Sequence, residues 1–536
     1  MRSAPGLIAA TLAVGVGCSS TAEPPAGPTS VPVLDENRRV PALACPGSPG
    51  CVEVSGALKV GAAKRSITPV VEPFTDTNMN RRWDAGEAFE DKNGNGRWDP
   101  TWMAGFDVGR AAQGVHDEQW ARALVFEQGE LRVGYISLDT IGFFHDDIIA
   151  IRQAAVDAGL DLDDVIVSST HVHEGEDTMG LWGYPALVPS PALPPYLARI
   201  RADALTALKE AAANLREAKV TVAQGNAPTV VRDSRLPRIV DDLYTAIRFD
   251  AVGSGMPIAT WVIWGNHPEA LSDDNQLLTS DYPHFLRERI EAEQPGTTAV
   301  FSSGSLGGLM TPLGLSGCAD AMGMPTCRPG DFAWAQEIGE VVARGALRAL
   351  TSTAARTDAQ PTLALARKSY LVPVTNFAFV AAVGAGVLPR QLFDRDGNYL
   401  PRVDDVSTEN TVVETEVSWL RIGPIELLMV PGELYPEAWL QGSGGAPLAE
   451  RPEGRDFADA PVLPALEGML GADRLRAILN QTNDSLGYMI PKSQFDLFEP
   501  HAYRPDGQYG ESNSTGAEIT PDTVKAVAEM LGKPLP

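Results

Sequence analysis

Segments of strand length alternate with amphipathic segments of helical length from residue 52 to the C-terminus, and this alternation limits the fold more than any other feature. Apolar runs predict strands over 131–138, 164–168, 219–223, 257–264, 298–302 and 425–430. Helical periodicity predicts helices over 145–158, 194–218, 282–293, 332–351, 466–480 and 520–532. Such alternation is typical of α/β layers. We therefore expect an α/β fold with a mixed β-sheet core and flanking helices, while residues 371–415 show no clear pattern.

The chain is strongly acidic. Its 536 residues include 43 Lys and Arg against 69 Asp and Glu, which gives a formal net charge of −26. A surface of this charge repels polyanions, and this argues against binding to nucleic acid or docking on anionic lipid. The acidity itself identifies no substrate, so the expectation of a small-molecule or lipid substrate rests on the site motifs, and the sequence leaves the oligomeric state open.

The N-terminus has the pattern of an export signal. Arg2 precedes an apolar run over residues 7–16, which is too short to span a membrane. Small residues and Cys18 follow, as in a bacterial lipoprotein signal. We therefore expect a signal peptide over 1–17, lipidation of Cys18, and an outer-membrane lipoprotein in the periplasm or at the cell surface. Ordinary secretion is the alternative.

The remaining chain divides into two parts. Residues 18–50 are rich in Pro, Ser and Gly and predict a tether, so the membrane would be reached only through the N-terminal lipid. Residues 51–536 show no further linker and predict one catalytic unit with an insertion at 76–99.

Four cysteines besides Cys18 lie in two close pairs, and no pair has the spacing of a thiolate zinc site. Each pair closes a short loop that contains Pro or Gly. We predict the disulfides Cys45–Cys51 and Cys318–Cys327, which would agree with an oxidising, exported location.

The insertion carries two loops with oxygen ligands at the spacing of calcium-binding loops. The candidate ligands of the first loop are Asp76, Asn78, Asn80, Asp84 and Glu87. The candidate ligands of the second loop are Asp91, Asn93, Asn95 and Asp99. Trp102 stands where the second loop would need a bidentate acid, and Arg81 replaces the usual Gly of the first. We expect structural Ca²⁺ here, with a solvated Asn/Asp/Gly loop as the alternative.

Polar turns follow three of the predicted strands and contain metal-ligand side chains. The turns after the second, fourth and sixth predicted strands contain His171, His173, His267 and Glu433. Ligands from distant loops meet at the carboxyl ends of strands in open α/β sheets. Two imidazoles and a carboxylate are the minimum for a catalytic zinc ion, so the pattern predicts a metal site at this edge.

An ordered set of short motifs resembles the neutral (non-lysosomal) ceramidase family over roughly residues 58–530. The motifs are Gly61–Pro69 (GAAKRSITP), Ala121–Phe126 (ARALVF), Ser169–His173 (STHVH), Asn266–Pro268 (NHP), Pro431–Glu433 (PGE) and Gly487–Tyr488 (GY). The resemblance implies the catalytic domain of that family, without the immunoglobulin-like domain that usually follows it.

The resemblance also implies a zinc ion held by His171, His267, Glu433 and Tyr488. His173 would line the site and stabilise the developing negative charge or pass a proton to the departing amine.

Two further residues are candidate parts of the site. Asp139, at the end of strand 131–138, is a candidate acid behind the metal ligands, with a helix N-cap as the alternative. Arg235 falls near a substrate-contacting Arg of the family, with a surface salt bridge as the alternative.

The sequence departs from the family in the segment Ser305–Pro312. The family has an Asp and a Ser there, whereas this chain has Gly308 and Thr311. Either the Thr311 hydroxyl replaces that of the Ser, or the zinc site acts without it.

The expected function is zinc-dependent hydrolysis of an amide, in an N-acylated (sphingo)lipid such as ceramide. The alternatives are a zinc esterase or another amidase with the same site, and an inactive, calcium-stabilised surface lipoprotein.

Overall fold

The computed structural model describes residues 40–48, 54–184, 193–319, 324–400 and 406–534. The predicted signal peptide, Cys18 and Cys51 lie outside these ranges, so the lipidation and the Cys45–Cys51 disulfide stay predictions. The second predicted disulfide, Cys318–Cys327, is present. No helix in the described ranges is both long and apolar enough to cross a membrane.

The described residues form seven α-helices and twenty β-strands. The helices are α1 (His145–Asp157), α2 (Leu193–Ala213), α3 (Tyr282–Glu293), α4 (Phe332–Leu350), α5 (Phe377–Gly384), α6 (Pro436–Trp439) and α7 (Ile519–Met530). The strands are β1 (Leu43–Cys45), β2 (Lys59–Ser66), β3 (Gly114–Val115), β4 (Trp120–Gln128), β5 (Leu131–Leu138), β6 (Asp164–Ser169), β7 (Arg216–Asn226), β8 (Arg232–Asp233), β9 (Leu243–Ala251), β10 (Pro257–Trp264), β11 (Leu277–Leu278), β12 (Thr298–Ser303), β13 (Met310–Thr311), β14 (Arg356–Asp358), β15 (Leu363–Pro373), β16 (Val412–Ile422), β17 (Ile425–Met429), β18 (Glu433–Leu434), β19 (Leu475–Leu479) and β20 (Tyr488–Met489).

Two mixed sheets make up the frame of the fold. Within the described ranges, the larger sheet has nine strands in the order β12-β10-β9-β7-β2-β4-β5-β6, with β14 added at β7. The smaller sheet has the order β1-β15-β16-β17-β19. The pairs β5–β6, β10–β12 and β17–β19 are parallel, and each is joined through a crossover along the chain. The predicted mixed α/β architecture is therefore confirmed.

One hydrophobic core lies between the two sheets, and helices cover their other faces. The shared core contains Tyr135 and Trp261 of the larger sheet together with Leu420 and Leu427 of the smaller sheet. Helices α3 and α4 pack on one part of the larger sheet, and α1 and α2 pack on another. Helix α7 packs on the smaller sheet. This packing of both faces explains why many strands read as continuous apolar runs.

The prediction for residues 466–480 is wrong. A helix was expected, but Leu466–Met469 forms one turn of 3-10 helix and Leu475–Leu479 forms β19. Ala477 and Leu479 enter the core between the sheets, while Ile478 enters the core on the opposite face. A strand buried on both faces shows no alternation of polar and apolar residues, and its apolar run therefore resembles a buried helix.

Candidate metal centre

Turns at the ends of three strands bring the predicted ligands together. His171 and His173 follow β6, His267 follows β10, and Glu433 begins β18 just after β17. The backbone N–H of His173 donates to the carbonyl of Pro268 at 3.0 Å, which joins the first two turns. One ring nitrogen from each of the three histidines lies within 4.8 Å of the others, and all three residues are buried. This group can hold a metal ion.

Backbone carbonyls fix the orientation of two imidazoles. Nδ1 of His171 lies 2.6 Å from the carbonyl oxygen of Ile141, and Nδ1 of His267 lies 2.7 Å from that of Met310. A carbonyl oxygen only accepts, so each Nδ1 donates its proton and each Nε2 is left for the centre. The Nε2 atoms of His171 and His267 lie 3.4 Å and 3.2 Å from the same Oε2 of Glu433. Lone pairs so arranged repel one another unless a cation, either a proton or a metal ion, lies among them.

The electrostatics of the buried group agree with a cation site. Burial alone would raise the pKa of Glu433, but the neighbouring imidazoles, His171 foremost, lower it to about 2. Burial lowers the pKa of His173 well below its usual value, and His171, His267 and Arg110 lower it further. The centre therefore combines a carboxylate with an imidazole, His173, that stays neutral.

The predicted fourth ligand, Tyr488, lies beside Glu433. Strands β18 and β20 pair in parallel with Glu433 opposite Tyr488. The backbones approach so closely that a Cβ atom on Gly432 would lie 2.6 Å from the Gly487 carbonyl oxygen. This explains the glycine of the PGE motif, whereas Gly487 of the GY motif has a φ of +74° and packs against the carbonyl of Asn513. The ring of Tyr488 lies 6.4 Å from that of His267, centroid to centroid, and burial, followed by Glu433, raises the pKa of Tyr488 well above its usual value.

Thr311 does not offer a free hydroxyl to the centre. Its Oγ1 accepts the backbone N–H of Leu313 at 3.0 Å and donates its only proton to Oε1 of Glu269. The other carboxylate oxygen of Glu269 lies 3.4 Å from Nδ1 of His173. Glu269 is 7% exposed and directly follows the NHP motif, yet no sequence pattern indicated a role for it.

Asp139 lies in a buried ion pair with Arg287. Its carboxylate receives both terminal nitrogens of Arg287, at 2.8 Å and 2.9 Å, and also the Ser280 hydroxyl. Phe144, not Asp139, is the N-cap residue of α1. Asp139 therefore joins the end of β5 to α3, and the predicted supporting position behind the ligands stays a prediction.

Arg235 is buried and does not line the cavity that lies beside the three histidines. Its guanidinium pairs with Glu511 and lies 5.2 Å from the centre of the Tyr435 ring. Only 2% of Arg235 is exposed, so the alternative of a surface salt bridge does not describe it. Among the residues lining the cavity beside the centre are Tyr488 and Tyr509 but not Arg235. Substrate contact by Arg235 stays a prediction.

An apolar cavity opens beside the centre. It has a volume of about 120 Å³, and its wall includes His171, His173, Glu433 and Tyr488. The rest of the wall is mainly apolar and is formed in part by Phe144, Met179, Trp182, Phe379, Val383 and Leu388. One buried charge in the wall, Arg390, is paired with Asp484 at 2.6 Å. The cavity therefore offers an apolar chain a place next to the polar centre.

The two predicted calcium loops have matching hydrogen-bond patterns. In the first, Asp76 accepts the backbone N–H groups of Asn80 and Arg81. In the second, Asp91 accepts those of Asn95 and Gly96 in the same way. The remaining candidates of both loops join these networks: Asn78, Asp84, Glu87, Asn93 and Asp99.

Glu72 takes the place in the second loop that Glu87 takes in the first. Glu87 accepts the backbone N–H of Asp84 at 2.9 Å, and Glu72 accepts that of Asp99 at 2.9 Å. The other oxygen of Glu87 accepts the N–H of Thr77, and that of Glu72 accepts the N–H of Lys92. Glu72 precedes both loops in the chain, so loop spacing could not reveal the missing acid.

Comparison of the structure with solved structures finds bacterial neutral ceramidase. The crystal structure of neutral ceramidase from Pseudomonas aeruginosa has a TM-score of 0.61 and 15% sequence identity, over 90% of this chain and 74% of that one. A ceramidase structure described as complexed with C2 has a TM-score of 0.59 and 16% identity, over 89% and 75%. No protein-family profile matches this sequence. No curated protein sequence matches it either. The chain therefore has a ceramidase-like fold.

Proposed function

We propose that this protein is a metal-dependent hydrolase that uses zinc to cleave the amide bond of an N-acylated lipid such as ceramide. The observation that carries the proposal is the convergence of Nε2 of His171, Nε2 of His267 and one oxygen of Glu433 beside an apolar cavity. The ceramidase-like fold supports it. No nucleic acid takes part in this function.

The donor set suits zinc. Two imidazoles, held by carbonyls at Nδ1, and one carboxylate are ligands that Zn²⁺ prefers, and Tyr488 would complete the set. Zinc supplies a water of lowered pKa and polarises a carbonyl group. His171, His267, Glu433 and Tyr488 would hold it.

The chain's own residues supply position and proton handling. The apolar wall of the cavity would bind an acyl or long-chain base and orient the adjoining amide toward the histidines. His173 is neutral and borders the same cavity, so it can accept a proton and return it to the departing amine. Asp139 and Arg235 do not line the cavity, so they would act only by holding in position the segments that carry the ligands and the cavity wall.

Metal content and turnover test the proposal together. We would measure bound zinc in the purified protein and its His171→Ala variant, then assay both on a fluorescent ceramide and on short esters. One zinc per chain and ceramide turnover in the wild type, both lost in the variant, would support it. His116→Ala is the control because His116 lies outside the three-histidine group and stacks on Phe332.

The alternatives give different results. Zinc binding with ester hydrolysis but no ceramide turnover would favour a zinc esterase or another amidase. Zinc binding with no turnover of either probe would favour an inactive surface lipoprotein. Zinc bound equally by wild type and His171→Ala would refute the site.

We also propose structural Ca²⁺ in the loops at 76–99. The repeated hydrogen-bond pattern and the position of Glu72 support two sites, the second closed by an acid from outside the loop.

The predicted lipid anchor at Cys18 would hold the catalytic unit near lipid substrates at the bacterial outer membrane. Globomycin, which blocks lipoprotein signal processing, should leave an unprocessed precursor of larger mass if this is right.

A further inference from the structure

Glu269 is a buried acid at the centre that the proposed metal site does not use. It follows His267 by two residues, in the turn after β10, and its carboxylate is almost completely enclosed. A buried carboxylate is costly unless its oxygens have partners. Its partners therefore indicate why it lies there.

The two oxygens of Glu269 meet different residues. Oε1 receives the hydroxyl proton of Thr311, and Oε2 lies 3.4 Å from Nδ1 of His173. Thr311 accepts the N–H of Leu313 through the same oxygen, so its hydroxyl takes part in two hydrogen bonds and donates only to Glu269. The strand that bears Thr311 also bears Met310, whose carbonyl orients His267. The same two-residue strand thus supports a metal-ligand candidate and this acid.

The position of the His173 ring is fixed, but its hydrogen bonding is not. A Cβ atom on Gly105 would lie 2.3 Å from Cγ of His173, so the ring lies directly against the glycine backbone. The edge of the Phe106 ring contacts it at a centroid distance of 5.1 Å. Within the described part of the chain, neither ring nitrogen has a hydrogen-bond partner. Glu269 is the carboxylate within ion-pair distance of Nδ1.

We propose that Glu269, held by the Thr311 hydroxyl, is the positioning residue that keeps the proton of His173 on Nδ1 and leaves Nε2 as the accepting nitrogen. A carboxylate beside one ring nitrogen favours the proton on that nitrogen and leaves the other as the acceptor, and carboxylates behind histidines commonly have this role. The inference rests on the proposed function for its catalytic meaning. The chain's departure from the family at Thr311 then has a reason, because this hydroxyl serves the acid and not the substrate.

The tautomer is measurable without any turnover. We would label the histidines with ¹⁵N and record two-bond ¹H–¹⁵N spectra of the metal-free protein, with His173→Ala to assign the signal. Wild-type His173 should carry its proton on Nδ1. Glu269→Ala should shift the ring toward the Nε2–H form, and Glu269→Gln should have a smaller effect because the amide oxygen still accepts.

Thr311 provides a second, milder test that leaves the acid in place. Thr311→Val removes the hydroxyl and should shift the tautomer in the same direction, while Thr311→Ser should match the wild type. An Nε2–H tautomer in the wild type, or a tautomer unchanged by Glu269→Ala and Thr311→Val, would overturn the proposal.

Kinetics connect the tautomer to the reaction. On whichever probe the wild type hydrolyses, Glu269→Ala should lower kcat by about 10–100-fold while bound zinc stays at the wild-type level. In the His173→Ala background, the same substitution should cause no further loss, because Glu269 acts through His173. A further loss of about tenfold there would overturn the proposal. If the wild type hydrolyses no probe, the proposed function fails, and the tautomer still decides the role of Glu269.

Discussion

Glu433 and Tyr488 lie directly opposite each other in the two-residue parallel ladder of β18 and β20. Side chains paired in this way project on the same side of a ladder. The carboxylate and the phenol are therefore presented together, and Gly432, the residue before Glu433, lets the two backbones approach. The relationship is consistent with the proposal that the Tyr of the GY motif and the Glu of the PGE motif bind one ion.

Replacing Tyr488 by Phe tests this pairing. The change removes one oxygen and keeps the ring that packs near Tyr435 and Tyr509. We expect zinc affinity to fall by at least about 10–100-fold, with little change in thermal stability of the metal-free protein. Competition with a fluorescent zinc chelator measures the affinity. Tyr370→Phe is the control, because it removes the hydroxyl of a tyrosine that bonds Thr523 and does not line the cavity. An equal loss in that variant would contradict a special role for Tyr488.

Removing zinc should lower the stability of the wild type. A ligand that binds only the folded state adds about 2.7 kcal/mol at a free concentration one hundred times its Kd. The melting temperature should therefore rise when zinc is added to the metal-free protein. His267→Ala should melt at a temperature independent of zinc, whereas His116→Ala should respond like the wild type. A full zinc response in His267→Ala would show that the stabilising ion binds elsewhere.

The sequence indicated the metal-ligand candidates more readily than the residues that hold the neighbouring side chains in position. Strand ends revealed His171, His267 and Glu433, because a polar turn after an apolar run is a local signal. Tyr488 was predicted as a ligand only through the resemblance, because a Gly-Tyr turn is ordinarily a packing feature. Glu269 stood in a recognised motif, but its partner Thr311 lies on another strand.

Tertiary context also decided two features outside the centre. The missing acid of the second loop, Glu72, comes from a segment before both loops, so no spacing rule could find it. The apolar run at Leu475–Leu479 became a strand because it inserts between two hydrophobic cores beside β17. Both outcomes depend on chain segments that are distant in sequence.

The second calcium loop should depend on Glu72 as the first depends on Glu87. We expect Ca²⁺ to raise the melting temperature of the wild type, and Glu72→Gln and Glu87→Gln each to remove part of the rise. Glu90→Gln is the control, because Glu90 is an exposed acid between the loops that pairs with Lys92. Calorimetric scans with and without Ca²⁺ make the measurement. If the wild type melts at the same temperature with and without Ca²⁺, the proposed calcium sites are refuted.

The buried pair of Arg152 and Glu416 should stabilise the fold in a pH-dependent way. Arg152 donates to both oxygens of Glu416, at 2.8 Å and 2.5 Å. Burial would raise the pKa of Glu416, but Arg152 lowers it from 4.5 to about 2. A carboxylate with a lowered pKa stabilises the folded state above its ordinary pKa. That contribution is lost as the pH falls from about 4.5 to about 2.

Glu416→Gln should therefore lower the free energy of unfolding by about 3–5 kcal/mol at pH 7, since it leaves a buried guanidinium without its main partner. The difference from the wild type should shrink as the pH falls below 4.5. Urea titrations at several pH values measure it. Glu127→Gln, which weakens the more exposed pairs with Lys59 and Arg132, should cost only about 1 kcal/mol. A Glu416→Gln difference that does not change with pH would contradict the assignment.

Filling the apolar cavity should separate long-chain from short-chain substrates. Val383 lies on α5 and lines the cavity beside Phe379 and Leu388, so Val383→Trp places an indole in the space proposed for a hydrocarbon chain. We expect kcat/KM for a long-chain fluorescent ceramide to fall by about 10-fold or more, as loss of binding worth about 1.4 kcal/mol would produce. Hydrolysis of a short acetyl ester should change little, because the histidines and Glu433 are untouched. Val156→Trp, at a position 63% exposed on α1, controls for the added bulk. Equal losses on both substrates in Val383→Trp would mean that the indole disturbs the metal centre, and no loss on either would mean that the chain binds outside this cavity.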